Sequence, residues 1–211
     1  MIKIFLTVRN RLAITKFCIE SILRYTSLPK QIYIYDNLTN YMLKEHFDYF
    51  YDLYSRGIIT QLVFNTRDST FNAFSKAIAC NQFGFNHEID PNKNNYSFLL
   101  FLDNDIILQP KWDLILKAAW DDVNKLKLRN VKVIGQHPGG IKFKSVMSYK
   151  IAGYEAVLGK LGGSALWSVR PNFFSDVGIL DSKRLVGFDK KHDQEYWQLM
   201  EKANQGKEYI V

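Results

Sequence analysis

Two aspartates one residue apart, Asp103 and Asp105 with Asn104 between them, follow directly on the apolar run 97–102 (SFLLFL). In an extended turn, carboxylates at i and i+2 can point to the same side of the backbone. Their hard oxygens suit Mg²⁺ or Mn²⁺, ions that normally keep open positions for phosphate oxygens. Asp and Asn also end strands and cap helices, so the spacing alone equally fits a structural turn. What distinguishes this pair is its place at the end of the most apolar strand in the chain. Two other apolar runs also end in polar groups: Arg9-Asn10 after Ile2–Val8, and Asp36-Asn37 after 31–35 (QIYIY). In open α/β sheets, ligands bind beyond the carboxyl ends of the strands. Parallel neighbours would bring all three groups to one crevice.

The elements needed to position them can be read from periodicity. Ile2–Val8 (IKIFLTV) is a buried strand, and helical spacing of Ile14, Phe17, Cys18, Ile22 and Tyr25 follows until Pro29. A second strand at 31–35 is expected to end in a turn at Asp36-Asn37. The pattern then predicts a helix over 41–54 stopped near Gly57, a strand over 58–64 and a helix over 70–83. A polar loop over 85–95 leads to the strand 97–102. Pro110 opens a helix to about Asn124, and 131–135 is a further strand. Residues 137–160 contain Pro138-Gly139-Gly140 and read as loops with a short ribbon. Segment 162–169 reads as a strand entered through two glycines, and a short helix starts at Pro171. Residues 178–188 turn, 189–204 are helix-compatible, and 207–211 begin a last strand. Strands alternating with helices define an α/β sandwich with a mainly parallel sheet.

The 211 residues suit one domain with a substantial core. The balance of 47% hydrophobic and 23% charged residues is that of a globular protein. Aromatics reach 15%, with 15 Phe, 12 Tyr and 4 Trp. They could stack on rings, but a Phe-rich core accounts for most of them, and Trp167 and Trp197 fit either role. The net charge of +7 favours an acidic partner, such as a nucleotide diphosphate or an anionic surface. Its basic residues are scattered without a tail, so nucleic acid is not expected as a partner. Cys18 and Cys80 fall inside predicted helices and read as unpaired buried thiols of a reducing compartment. The charged first twenty residues lack a signal-peptide core, and no apolar run reaches the roughly 20 residues of a membrane span. The expected location is cytoplasmic, with attachment to a membrane surface left open. His46, His87 and His137 show no metal-ligand spacing.

Taken in order, six segments carry a family resemblance: IFLTVRNRLAITKFCIESIL, IYIYDNLT, FNTRDSTFNAFSKAIA, FLLFLDNDIILQPKW, GGSALWSVRPNFFSDVGILD and GFDKKHDQEYWQLM. Together they resemble a family 2 glycosyltransferase over nearly the whole chain. The resemblance implies the GT-A fold, a Rossmann-like three-layer sandwich, as a single domain. Residues 1–109 would be its nucleotide-binding half and 110–211 its acceptor-side half. Family members commonly continue past the last of these segments, so the second half is expected to be short at its C-terminus. By the same resemblance, Thr7, Val8 and Arg9 line the nucleotide pocket, Asp36 bonds the base and Arg67 reaches toward base or phosphate. Asp103 would face ribose and metal, and Asp105 would ligate the metal. Asn104, Gly162 and Gly163 would adjoin the donor or acceptor sugar, glycine permitting close backbone approach. Asp193 stands where the family has its general base. His192 replaces the usual acidic neighbour and reads as a capping residue, and Glu195 is the reserve candidate.

The implied reaction moves a sugar from a nucleotide-diphosphate donor, with a UDP-sugar first among donors, to an acceptor hydroxyl; inversion is the working expectation, and retention stays open because these segments do not encode stereochemistry. The acceptor would be a saccharide, a lipid-linked group or a protein. A divalent metal, Mn²⁺ or Mg²⁺, would neutralise the leaving diphosphate. Two rival readings stay open. A nucleotidyltransferase would want a glycine-rich loop after the first strand, whereas Thr7-Val8-Arg9-Asn10-Arg11 has arginines and no glycine. A non-catalytic sugar- or nucleotide-binding module of the same fold is motivated by His192 and the short C-terminus.

Overall fold

The computed structural model describes residues 1–37, 43–65, 81–85, 96–128, 131, 133–135, 148–157, 166–171 and 173–177. The elements in order are β1 (Ile2–Val8), α1 (Leu12–Tyr25), β2 (Lys30–Asn37), α2 (Leu43–Ser55) and β3 (Gln61–Asn65). A single π-helical turn, Asn81–Phe85, comes next. Then follow β4 (Leu99–Asp103), α3 (Trp112–Lys125), β5 (Val133–Gly135), β6 (Ser148–Ile151), β7 (Tyr154–Val157), β8 (Leu166–Val169) and α4 (Phe173–Val177).

Six strands form one sheet in the order β3-β2-β1-β4-β8-β5. The first four run parallel, and β8 lies antiparallel between β4 and β5. The expected mainly parallel α/β sheet is therefore present, with β2, β1 and β4 as parallel neighbours. The ribbon expected within 137–160 is the antiparallel pair β6–β7.

Alternation along the strands divides the core into two chemistries. Ile2, Ile4, Leu6 and Val8 of β1 join Ile32, Ile34, Leu100 and Leu102 in an aliphatic cluster. Three helices cover it, through Cys18, Ile19 and Ile22 of α1, Phe50 and Leu53 of α2, and Trp112, Trp120 and Val123 of α3. The opposite face is aromatic. Phe5 is in register with both Tyr33 and Phe101, and Phe101 with Trp167, so four rings cross β2, β1, β4 and β8 at one level. Their centroids stack at 4.9 Å (Phe5–Tyr33), 5.2 Å (Phe5–Phe101) and 4.3 Å (Phe101–Trp167). Much of the aromatic excess is thus core. Phe83 of the π-helical turn and Phe173 and Phe174 of α4 close this face. Gly84 permits the closure, because a Cβ there would overlap the buried ring of Phe174.

Several boundaries differ from expectation, each for a pairing reason. β2 runs through Asp36 and Asn37 instead of turning, because Val8 and Asn65 lie opposite them on the flanking strands. β3 starts at Gln61 and not at Ile58, since the amides of Ile58 and Ile59 both donate to the Leu53 carbonyl and close α2. Of the helix expected over 70–83, residues 70–80 lie outside the described residues, and 81–85 form the π-helical turn. β4 starts at Leu99, α3 at Trp112 and β5 at Val133, each two residues later than expected. The glycine entry to β8, the polar loop over 86–95 and everything expected after Val177 also lie outside the described residues.

One long-range clasp fixes α3 against the first half of the chain. Asp113, fully buried, accepts the backbone N–H groups of Ser27 and Leu28 at 2.8 and 2.6 Å through Oδ2. Among the described residues, no helix is long and apolar enough to cross a membrane.

Candidate functional site

Parallel pairing brings the carboxyl ends of the strands level. Thr7 of β1 is in register with both Tyr35 and Asp103, Val8 with Asp36, and Asn37 with Asn65. The ends of the three strands are therefore level, although Asp36 does not share a face with Thr7, Asn37 and Asp103.

The Asp103-Asn104-Asp105 turn is tied to the β1–α1 turn at two points. Asn104, nearly buried, donates through Nδ2 to the Asn10 carbonyl at 3.2 Å and to Thr15 Oγ1 at 2.7 Å. Arg11 donates through Nη1 to Asp105 Oδ2 at 2.9 Å. Asn10 and Arg11 both adopt left-handed conformations, with φ of 53° and 56°. Such backbone is uncommon for residues other than glycine and is held by its surroundings. Here the holders are the Asn104 amide and the Arg11 carbonyl, which accepts from both the amide and the hydroxyl of Thr15. No acidic residue of α1 itself occupies its first turn, so the positive end of its dipole faces the strand ends.

Asp103 is half-buried, and the Asp105 side chain keeps 39% of its surface exposed. Beneath them lies Cys18, whose thiol donates to the Asp103 carbonyl at 3.8 Å. Burial first, and then the negative charges of Asp105 and Asp103, push this thiol up to about 12. Among the described residues, no group of three or more His, Cys, Asp or Glu side chains converges. Two hard oxygen donors of this kind fit a Mg²⁺ or Mn²⁺ site that phosphate and water help to complete.

Asp36 is placed differently. It lies on the helix-covered face of the sheet with Ile32 and Ile34, where His46 of α2 reaches it with Nδ1 at 3.0 Å from Oδ2. Both residues are buried, and neither Asp36 Oδ1 nor His46 Nε2 has a partner. Burial raises the Asp36 carboxyl to about 6, with the charge and hydrogen bond of His46 pulling the other way. Strand alternation puts Thr7, Tyr35, Asn37 and Asp103 on the opposite face. There Asn65 Nδ2 donates to Asn37 Oδ1 at 2.7 Å.

Thr7 is half-buried and Val8 buried at the end of β1. Arg9, which follows, is half-buried with Nη1 enclosed and without a partner. Arg67, Gly162, Gly163 and Asp193, like His192 and Glu195, lie outside the described residues. Reading the sequence marks Asn37 only as part of the strand-end pair Asp36-Asn37, and assigns no site role to Arg11, His46 or Asn65. His46 carried a signal, since it falls on the same helical stripe as Phe50 and Leu53, ten residues after Asp36. Beyond Asp105 a largely apolar groove of about 520 Å³ opens, lined by Ile106, Leu108, Trp112, Ile151 and Leu166 among others.

Neither a family model nor a curated protein matches the chain. Solved structures match its fold. Staphylococcus aureus TarS 1-349 in complex with UDP aligns over 100% of this chain and 57% of its own, at 12% identity and a TM-score of 0.56. GalNAc-T7 with UDP, GalNAc and Mn²⁺ aligns over 100% and 42%, at 14% identity and a TM-score of 0.64. The mannosyltransferase PcManGT from Pyrobaculum calidifontis, with GDP-Man and Mn²⁺, aligns over 86% and 47%, at 10% identity and a TM-score of 0.51. The chain spans about half the length of these structures. At such identities the likeness is one of architecture, and the chain has the Rossmann-like GT-A fold.

Proposed function

We propose that the protein is a nucleotide-sugar-dependent glycosyltransferase of family 2, working by metal-dependent, inverting transfer to an acceptor hydroxyl. The observation that carries this reading is the Asp103-Asn104-Asp105 turn. It ends a central strand of a GT-A sheet and is bonded to the turn after β1. Three solved structures of this fold hold UDP, or GDP-Man, two of them with Mn²⁺. A UDP-sugar is the first donor to test.

In this reading residues 1–109 form the nucleotide half and 110–211 the acceptor half. Thr7, Val8 and Arg9 line the nucleotide pocket, and the unpartnered Nη1 of Arg9 is a donor available to an anion. Asp36, in the family's base-binding position, would accept a base N–H only if its enclosed Oδ1 becomes accessible, with Asn37 as the rival on the other face, and Arg67 reaches base or phosphate. Asp105 and Asp103 hold Mn²⁺ or Mg²⁺, which when bound supplies positive charge for the leaving diphosphate. Asn104 keeps the carboxylate turn in shape beside the sugar, and Gly162 and Gly163 admit it closely. Asp193 takes the proton of the acceptor hydroxyl as its oxygen attacks the anomeric carbon, and the pocket holds both in line. Among saccharide, lipid-linked and protein acceptors, the apolar groove after Asp105 favours a lipid-linked one. The proposed location is cytoplasmic, at a membrane surface for such an acceptor.

The test is a thermal-shift screen of UDP, GDP, CDP and dTDP and their sugars, with and without Mn²⁺. A ligand that binds only the folded state raises its stability. Metal-dependent stabilisation by one nucleotide is expected, lost in Asp105→Ala with the unliganded melting temperature kept. Weaker stabilisation in Asp36→Ala assigns base contact to Asp36, and in Asn37→Ala to Asn37. Absence of a response to every nucleotide would overturn the donor site. Binding without transfer to any acceptor would leave a binding module in place of an enzyme.

A further inference from the structure

Asp105 already has a cation. The Arg11 guanidinium sits 2.9 Å from its Oδ2, although the two residues are 94 positions apart. The contact is not a by-product of a relaxed helix end. Arg11 lies just before the first turn of α1 in left-handed backbone, directly after a second left-handed residue, Asn10. That conformation aims the side chain back across the strand ends toward Asp105. It is braced by Asn104, the residue between the two carboxylates, through the Asn10 carbonyl. Sequence neighbours of Asp105 thus hold the backbone that delivers Arg11 to Asp105. The Arg11 side chain is 65% exposed, so it can leave this carboxylate without opening the core.

A guanidinium and a divalent ion cannot both occupy the same carboxylate oxygen. Arg, unlike Lys, offers a planar fork of donors that fits a phosphate as well as a carboxylate. Resting on the glycosyltransferase reading above, we propose that Arg11 is the resident counter-charge of Asp105. It exchanges that carboxylate for a donor phosphate when the divalent ion is bound, so that metal and nucleotide binding are coupled through one side chain. In the empty site Arg11 keeps the carboxylate turn charge-balanced and competes with the metal. In the loaded site the same positive charge moves onto the donor. By linkage, whatever factor the nucleotide adds to metal affinity, the metal adds to nucleotide affinity.

Free Mn²⁺ followed by electron paramagnetic resonance, with and without saturating UDP, tests this without any turnover assay. Removing the competitor in Arg11→Gln should tighten Mn²⁺ binding in the absence of UDP by about two- to five-fold, the range in which exposed ion pairs favour their partners. With UDP present that advantage should vanish or reverse, since the phosphate has lost its Arg. Arg11→Gly accepts the left-handed φ without strain and should behave as Arg11→Gln does, which assigns the effect to charge and not to backbone. Arg11→Lys should restore part of the coupling. Mn²⁺ affinity without UDP that is equal or weaker in Arg11→Gln and Arg11→Gly overturns the role of Arg11 alone. Should the wild type bind UDP but no Mn²⁺, the metal part of the functional reading and this role fall together.

Discussion

At the scale of the residue, Asp36 shows how burial can invert the usual behaviour of a carboxylate. Its folded form holds a proton up to about pH 6, whereas the unfolded chain releases it near the ordinary value of 3.8. Between those two values the folded state binds more protons, so stability from this group rises as pH falls and is lost as pH climbs through about 6. A shift of about two units corresponds to roughly 3 kcal/mol. Urea denaturation of the wild type and Asp36→Asn between pH 4 and 7 should show this directly. The neutral variant should lose the stability gained on acidification while matching or exceeding the wild type at pH 7; parallel pH curves would refute the assignment. His46 moderates the effect, since its hydrogen bond holds the carboxyl lower than burial alone would. Nothing local marks Asp36 and His46 as a pair, since Asp36-Asn37 has the composition of a turn and His46 lies ten residues on in a separate element. Only the strand's continuation through Asp36 turns that side chain under α2.

Among the elements, those whose local pattern already decides them were legible. β1 and β4 are largely buried on both faces, and α1 and α3 carry their buried residues at helical spacing, so sequence and structure agree to within a few residues. Partners elsewhere in the chain decide the rest. The antiparallel direction of β8 follows from its neighbours β4 and β5, and nothing in Leu166–Val169 encodes it. The Arg11–Asp105 contact is illegible for the same reason, while the carboxylate pair itself was plain from its place after β4. Asp113 is intermediate. It looks like an ordinary acid in the first turn of a helix, yet it clasps two amides from before Pro29. Hydrogen bonds to charged groups contribute roughly 1.5–3 kcal/mol each. Asp113→Ala should therefore lower the unfolding free energy by about 3–6 kcal/mol, read from the denaturant midpoint, whereas an exposed helix-dipole acid would cost under about 1 kcal/mol.

For the molecule as a whole, the sheet separates an aliphatic layer under three helices from an aromatic layer under the π-helical turn and α4, and chemistry collects at the edge where strands end. That arrangement leaves Cys18 directly below the carboxylate turn with a thiol raised to about 12. At pH 8 only on the order of one such thiol in ten thousand is ionised, and the thiolate is the reactive form. Alkylation must therefore wait for α1 to lift from the end of β4. In a Cys80→Ser background the modification rate becomes a clock for that opening. UDP with Mn²⁺ should slow the clock in proportion to occupancy if the nucleotide sits above Asp103, and a rate indifferent to saturating ligand would place the ligand elsewhere. A buried sulfur would thereby time the breathing of the strand end beneath which it lies.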